Sequence, residues 1–127
     1  MPLVTVTLRR PRDAAFKRTL LDTIHAALVA AGVPATDRFQ RVQAPAADDL
    51  VVDPRYPDLA SDRGAEFVLI EILWSVGRSA KIKRKLVADL AESLKGALAL
   101  DPEHVMIVFV ETAWENWSFG GGRLLHA

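Results

Sequence analysis

The chain carries one pattern twice. At an offset of 66 residues, Phe16-Lys17-Arg18-Thr19-Leu20 aligns with Ile82-Lys83-Arg84-Lys85-Leu86, Ile24 with Leu90, Leu28 with Leu94, and Val4 with Ile70. The first copy opens with Leu3-Val4-Thr5-Val6-Thr7-Leu8, whose alternation and β-branching predict a strand. Arg9 to Asp13 reads as a polar connection. Phe16, Leu20, Ile24, Leu28 and Ala31 then recur at helical spacing and predict an amphipathic helix of about five turns. Gly32 and Pro34 end it, because glycine suits the C-terminal cap and proline cannot continue a helix. Residues 38–42 read as a second strand. In the second copy, Phe67 to Trp74 is a strand broken by Gly77. Ser79 is a helix N-cap, and Ile82, Leu86, Leu90, Leu94 and Ala97 form the helical stripe. Asp101-Pro102 closes that helix, and Val105 to Val110 is the fourth strand.

Two tandem β-α-β units restrict the fold sharply. A crossover helix implies parallel pairing inside each unit, with right-handed connection. The expected architecture is α+β: one four-stranded sheet with two helices on one face. The units span residues 2–43 and 67–111 of a single domain, 1–127. A linker, 44–66, joins them, and a segment, 112–127, follows. The linker holds three prolines and five aspartates without sustained periodicity, so it reads as a surface connection with a short helical turn near Ala46 to Leu50. Loops of this length are often functional. The plain reading of such a pattern is a ferredoxin-like domain, a scaffold that hosts many unrelated activities.

Composition narrows the function classes. Sixteen basic residues balance sixteen acidic ones, which argues against nucleic acid as a partner. With no cysteine, disulfide and thiolate chemistry are excluded, and any metal site would need His and carboxylates. No signal-peptide pattern and no long apolar run is visible, so we expect a cytoplasmic protein without a membrane partner.

Several residues could carry chemistry. Removal of Met1 would expose Pro2 as a secondary amine at the start of a strand. An α-amino group titrates nearer neutrality than lysine, at roughly 7.7–8.0 in model peptides. Burial or nearby cations would lower that value. Such a group can take a proton from carbon and return it elsewhere. Taken alone, Pro2 is also simply a common second residue. Arg78, between the third strand and the second helix, is either a solvated turn residue or a bidentate clamp for a carboxylate. Asp37, just before the second strand, could direct water or serve as a surface cap. His25 lies on the flank of the first helix, and it forms no metal-ligand spacing with His104 or His126. Trp114, Trp117 and Phe119 sit beside Gly120-Gly121-Gly122 and outside any regular period, a combination that suits a pocket wall. Lys81, Lys83, Arg84 and Lys85 read mainly as the solvated face of the second helix.

Together these features resemble the tautomerase superfamily, whose members use an amino-terminal proline on a β-α-β scaffold. The nearest likeness within it is to the malonate semialdehyde decarboxylase group. Three stretches carry it: Leu20-Leu21-Asp22-Thr23-Ile24-His25, Gly32 to Gln40, and Asn116 to Arg123. Gly77 to Lys83 is similar to the arginine turn of the cis-3-chloroacrylic acid dehalogenases. The resemblance implies Pro2 as the general acid or base, Asp37 as the residue that activates water or polarises the proline, and Arg78 as the carboxylate anchor. Trp114, Trp117, Phe119 and His25 would contact the substrate. It implies no cofactor, a small carboxylate substrate and a homotrimer. The expected activity is proton transfer on a small 2-oxo acid or its enol. Decarboxylation or hydration of a 3-oxo acid and dehalogenation of a haloacrylate are alternatives, as is a non-catalytic trimeric binding protein. The resembled groups carry a second arginine slightly before the one matching Arg78. Here that stretch is Trp74-Ser75-Val76-Gly77, without a cation.

Overall fold

The computed structural model describes residues 2–125. The fate of Met1, and the end of the 112–127 segment with His126, lie outside the described residues. Four strands, β1 (Leu3–Leu8), β2 (Phe39–Gln43), β3 (Val68–Ser75) and β4 (Val105–Thr112), form one sheet in the order β2-β1-β3-β4. β1 pairs parallel with β2, and β3 parallel with β4, as the crossover helices require. The two units join through antiparallel β1 and β3.

Helices α1 (Ala14–Ala30) and α2 (Ala80–Leu98) cover one face. Their apolar stripes supply Phe16, Leu20, Ile24 and Leu28, and Leu86, Leu90 and Leu94, all buried against Val4, Val6, Leu8, Ile70, Ile72 and Trp74. Each fully buried aliphatic side chain contributes about 1.5–3 kcal/mol of transfer free energy. Both helices begin on a side-chain cap. Asp13 Oδ1 accepts from the Phe16 N–H at 2.8 Å, and Ser79 Oγ from the Ile82 N–H at 3.2 Å.

β2 and β3 each lie one residue later than expected, and three further boundaries differ. Asp13 is part of the helix start rather than of a plain connection. α2 ends on Ala99, which is left-handed at φ 55°, whereas Asp101 caps a separate short turn, Pro102–His104. β4 continues through Glu111 and Thr112, which pair with Trp74 and Ser75. Polar side chains hide that extension from a hydrophobic pattern, but the backbone ladder does not depend on them.

Among the described residues, no α-helix covers the other face of the sheet. Thr5 and Thr7 are nonetheless buried there, because Arg41 Nε donates to Thr5 Oγ1 at 2.7 Å and Gln43 Nε2 to Thr7 Oγ1 at 3.0 Å. Leu3, Leu69, Leu73, Met106 and Val110 share this face by strand alternation. Met106 and Val110 are nearly half exposed.

The linker contains the expected short turn, Ala47–Asp49. It runs from β2 to the start of β3, at the end of the sheet opposite Pro2. Backbone and side-chain bonds fasten it there: Ala60 N–H donates to Glu103 Oε2 at 2.9 Å, and Ser61 Oγ meets His104 Nε2 at 3.2 Å. No helix among the described residues is long and apolar enough to cross a membrane.

Candidate active site

Strand register assembles the predicted residues at one end of the sheet. Leu3 pairs with Phe39 on one side and Leu73 on the other. One residue earlier, the buried Pro2 therefore lies level with Arg38 and Trp74. Asp37 immediately precedes this position on the β2 side. Arg78 follows β3 by three residues on the other.

The turn that carries Asp37 is held by α1. Its own Asp37 N–H donates to the Pro34 carbonyl at 3.0 Å, and His25 Nε2 donates to the Ala35 carbonyl at 2.8 Å. His25 is thus placed against the turn, with one ring nitrogen committed to the backbone. The Asp37 Oδ1 atom is shielded from solvent. Next to it, Arg38 Nη2 pairs with Asp22 Oδ1 at 2.6 Å, and Gln40 reaches back to the Leu21 carbonyl at 2.8 Å. These bonds tie β2 to α1 around the Asp37 turn.

Arg78 owes its placement to Gly77. At φ 119° Gly77 takes a backbone conformation that side-chain-bearing residues avoid, and the chain reverses between β3 and the Ser79 cap. The guanidinium carbon then lies 4.1 Å from the centroid of the Trp74 ring. Nη1 donates to the Ser75 carbonyl at 3.0 Å, its only hydrogen bond among the described residues. Nε and Nη2 remain as donors for an anion. Burial lowers the Arg78 pKa, and the Glu111 carboxylate acts in the opposite direction. Beneath it, Trp74 stacks on Phe109 at 5.1 Å between centroids and an interplanar angle of 13°. Trp74 Nε1 and Ser75 Oγ are buried without a hydrogen-bond partner among the described residues, an arrangement that costs free energy in a closed core.

The aromatic segment lies at the same end. Trp114 begins a short turn, Trp114–Asn116, directly after β4, and Asn116 Nδ2 donates to Thr112 Oγ1 at 2.5 Å. Trp117 stacks on Phe119 at 5.6 Å between centroids, and Phe119 meets Phe39 at 5.4 Å with the two rings tilted by 32°. Phe39 faces the helix-free side with Leu3 and is half exposed. Arg78 rests on Trp74, which faces the helices. The two groups therefore approach the sheet end from opposite faces, with Pro2 on the strand between them.

Two residues escaped the sequence reading. Phe39 was legible only as a strand position, yet its ring meets Phe119 and joins the aromatic cluster. Glu111 lies beside Trp74 on β4 and pairs with Lys83 at 2.8 Å, so Lys83 is not simply a solvated helix residue. Among the described residues no group of His, Asp and Glu is arranged to hold a metal ion.

A family model described as "Tautomerase enzyme" matches residues 37–120. The chain is 30% identical over 124 residues to a probable tautomerase, YusQ, of Bacillus subtilis (strain 168), covering 97% of this chain and 96% of that protein. A second Bacillus subtilis probable tautomerase, YrdN, is 29% identical over 124 residues, covering 97% and 94%. Among solved structures, malonate semialdehyde decarboxylase superposes with a TM-score of 0.87 at 31% identity, over 96% of this chain and 93% of that one. Fused 4-OT, solved as a symmetric trimer, shares the fold at a TM-score of 0.79 and 24% identity, over 98% and 97%. With the repeat, the sheet order and these likenesses in agreement, the chain belongs to the tautomerase superfamily.

Proposed function

We propose that this chain is an amino-terminal-proline enzyme that moves a proton between oxygen and carbon on a small 2-oxo acid or its enol. The observation that carries the reading is the convergence of Pro2, Asp37 and Arg78 on one end of the sheet, with Arg78 presenting free donors above Trp74. In this mechanism Arg78 binds the substrate carboxylate. The Pro2 nitrogen takes the enol hydroxyl proton and delivers it to the adjacent carbon, and the reverse cycle forms the enol. Asp37 orients the proline. Trp114, Trp117 and Phe119 wall the Pro2 end of the sheet and exclude water there, which strengthens electrostatic interactions at the reacting centre. No cofactor enters the scheme.

The likeness to malonate semialdehyde decarboxylase favours a second reading, in which Asp37 directs water or Pro2 assists decarboxylation of a 3-oxo acid. Trimeric assembly belongs to the proposal as well. It draws support from the partly apolar, helix-free sheet face and from the trimer described for fused 4-OT. Sizing by light scattering is expected to give three chains; a stable monomer would count against it.

The direct test is turnover by Met-trimmed protein on phenylpyruvate enol, malonate semialdehyde and a 3-haloacrylate. Ketonisation of the enol as the fastest reaction supports the first reading. Acetaldehyde as the dominant product from malonate semialdehyde supports the second, and no turnover of any of the three contradicts both.

A further inference from the structure

Arg78 does not stand alone as a charge. Glu111 is the register partner of Trp74, so the two side chains share a sheet face about 4.8 Å apart between strands. Arg78 lies over the Trp74 ring. Lys83 reaches down from the first turns of α2 and closes on Glu111 Oε1 at 2.8 Å. The Lys83 and Glu111 side chains are only 27% and 29% exposed, so solvent screens them less than a surface pair. Glu111 acts on Arg78 electrostatically but forms its ion pair with Lys83. Lys81, earlier on the same helix, is exposed and bonded to neither.

We propose that the Lys83–Glu111 pair holds the Arg78 cluster at one net positive charge and thereby selects monocarboxylates over dicarboxylates. This rests on the reading of Arg78 as the carboxylate anchor. Arg78 and Lys83 contribute two positive charges and Glu111 removes one. One carboxylate therefore neutralises the cluster. A second carboxylate on the same ligand meets the partly screened Glu111 carboxylate without a cation left to offset it.

The experiment compares phenylpyruvate with oxaloacetate, a 2-oxo acid bearing a second carboxylate. Both kcat/KM and equilibrium binding by calorimetry are measured on the full chain. Glu111→Gln leaves two positive charges. A unit charge about 6 Å away, at a dielectric between that of protein and water, corresponds to about tenfold. The preference for phenylpyruvate over oxaloacetate is expected to fall by about that factor. Lys83→Met leaves Glu111 uncompensated and is expected to weaken both ligands, by about tenfold for the monocarboxylate. The double variant Lys83→Met/Glu111→Gln restores one net charge and is expected to recover the wild-type preference.

An unchanged preference in Glu111→Gln, with native circular dichroism, would overturn the proposal. So would a double variant whose preference stays at that of Glu111→Gln. Binding separates this outcome from failure of the catalytic reading. If Pro2→Ala turns over substrate like the wild type while the charge variants still shift binding selectivity, the catalytic role of Pro2 fails and the charge selection stands.

Discussion

Replacing His25 separates two roles that the residue could hold. Its Nε2–H donates to the Ala35 carbonyl at 2.8 Å, across the turn that delivers Asp37 to the end of the sheet. A neutral hydrogen bond of this kind contributes about 0.5–1.5 kcal/mol net. The Ala35 carbonyl lies in an exposed turn, so in His25→Ala water can replace the lost donor and no further desolvation cost is added. We therefore expect His25→Ala to lose about 1 kcal/mol, a fall in Tm of about 4 °C for a domain of this size. A loosened turn displaces Asp37, and if Asp37 has the proposed role, a displacement of up to about 1 Å is expected to reduce turnover by roughly tenfold in kcat with KM nearly unchanged. His25→Gln, which keeps an amide donor, should recover part of both. The assays are thermal unfolding by circular dichroism and steady-state ketonisation of phenylpyruvate enol. An unchanged Tm together with a raised KM would refute the reasoning and make His25 a substrate contact.

Other substitutions test other parts of the account. Gly77→Ala forces a side chain onto a backbone at φ 119°, and the added Cβ has open space around it, so the cost is conformational. We expect about 1–3 kcal/mol of destabilisation in urea unfolding and a higher KM as Arg78 shifts off Trp74. Asp13→Ala removes the acceptor for the Phe16 N–H and should cost about 1 kcal/mol, read as a lower urea midpoint without loss of kcat. Leu90→Ala, at a fully buried position between α2 and the sheet, should cost about 2–5 kcal/mol in the same measurement. Acid stability has a defined direction at Glu66. The hydrogen bond from Arg10, helped by the charges of Arg12 and Arg10, holds its carboxyl below the ordinary value of 4.5. The stabilisation is complete above about pH 4.5 and is lost as pH falls through the lower folded-state value. Glu66→Gln should therefore narrow the difference in Tm between pH 6 and pH 3, and an unchanged difference would contradict it.

Much of the fold was legible because the apolar residues keep two clean periods. Val4, Val6 and Leu8 alternate, Leu20, Ile24 and Leu28 repeat every four residues, and the second copy does both again. Capping was legible at Ser79, where a hydroxyl precedes a helical stripe, but not at Asp13, which follows a polar run of arginines. Boundaries that depend on backbone conformation escaped, as with the left-handed Ala99, which carries no side-chain signature. Within the site, Pro2 and Asp37 were legible singly, and the parallel register that joins the starts of β1 and β2 brings Pro2 level with Arg38, next in sequence to Asp37. The Lys83–Glu111 pair was not legible, since its members are separated by 28 positions and meet only through α2 packing over β4. The His25 bond was hidden for another reason: its acceptor is a backbone carbonyl, which every residue possesses.

Proton transfer in the proposed mechanism turns on the nitrogen of Pro2. Mass spectrometry first establishes that the purified protein begins at Pro2, and enol ketonisation is then compared between wild type and Pro2→Ala. A primary amine replaces the ring nitrogen at the same buried position, while Arg78 and Asp37 are retained. In Pro2→Ala, kcat/KM is expected to fall by about 10²–10⁴, the range of a lost general acid–base group, with Tm little changed. Equal rates for the two proteins, or full activity in protein that retains Met1, would contradict it.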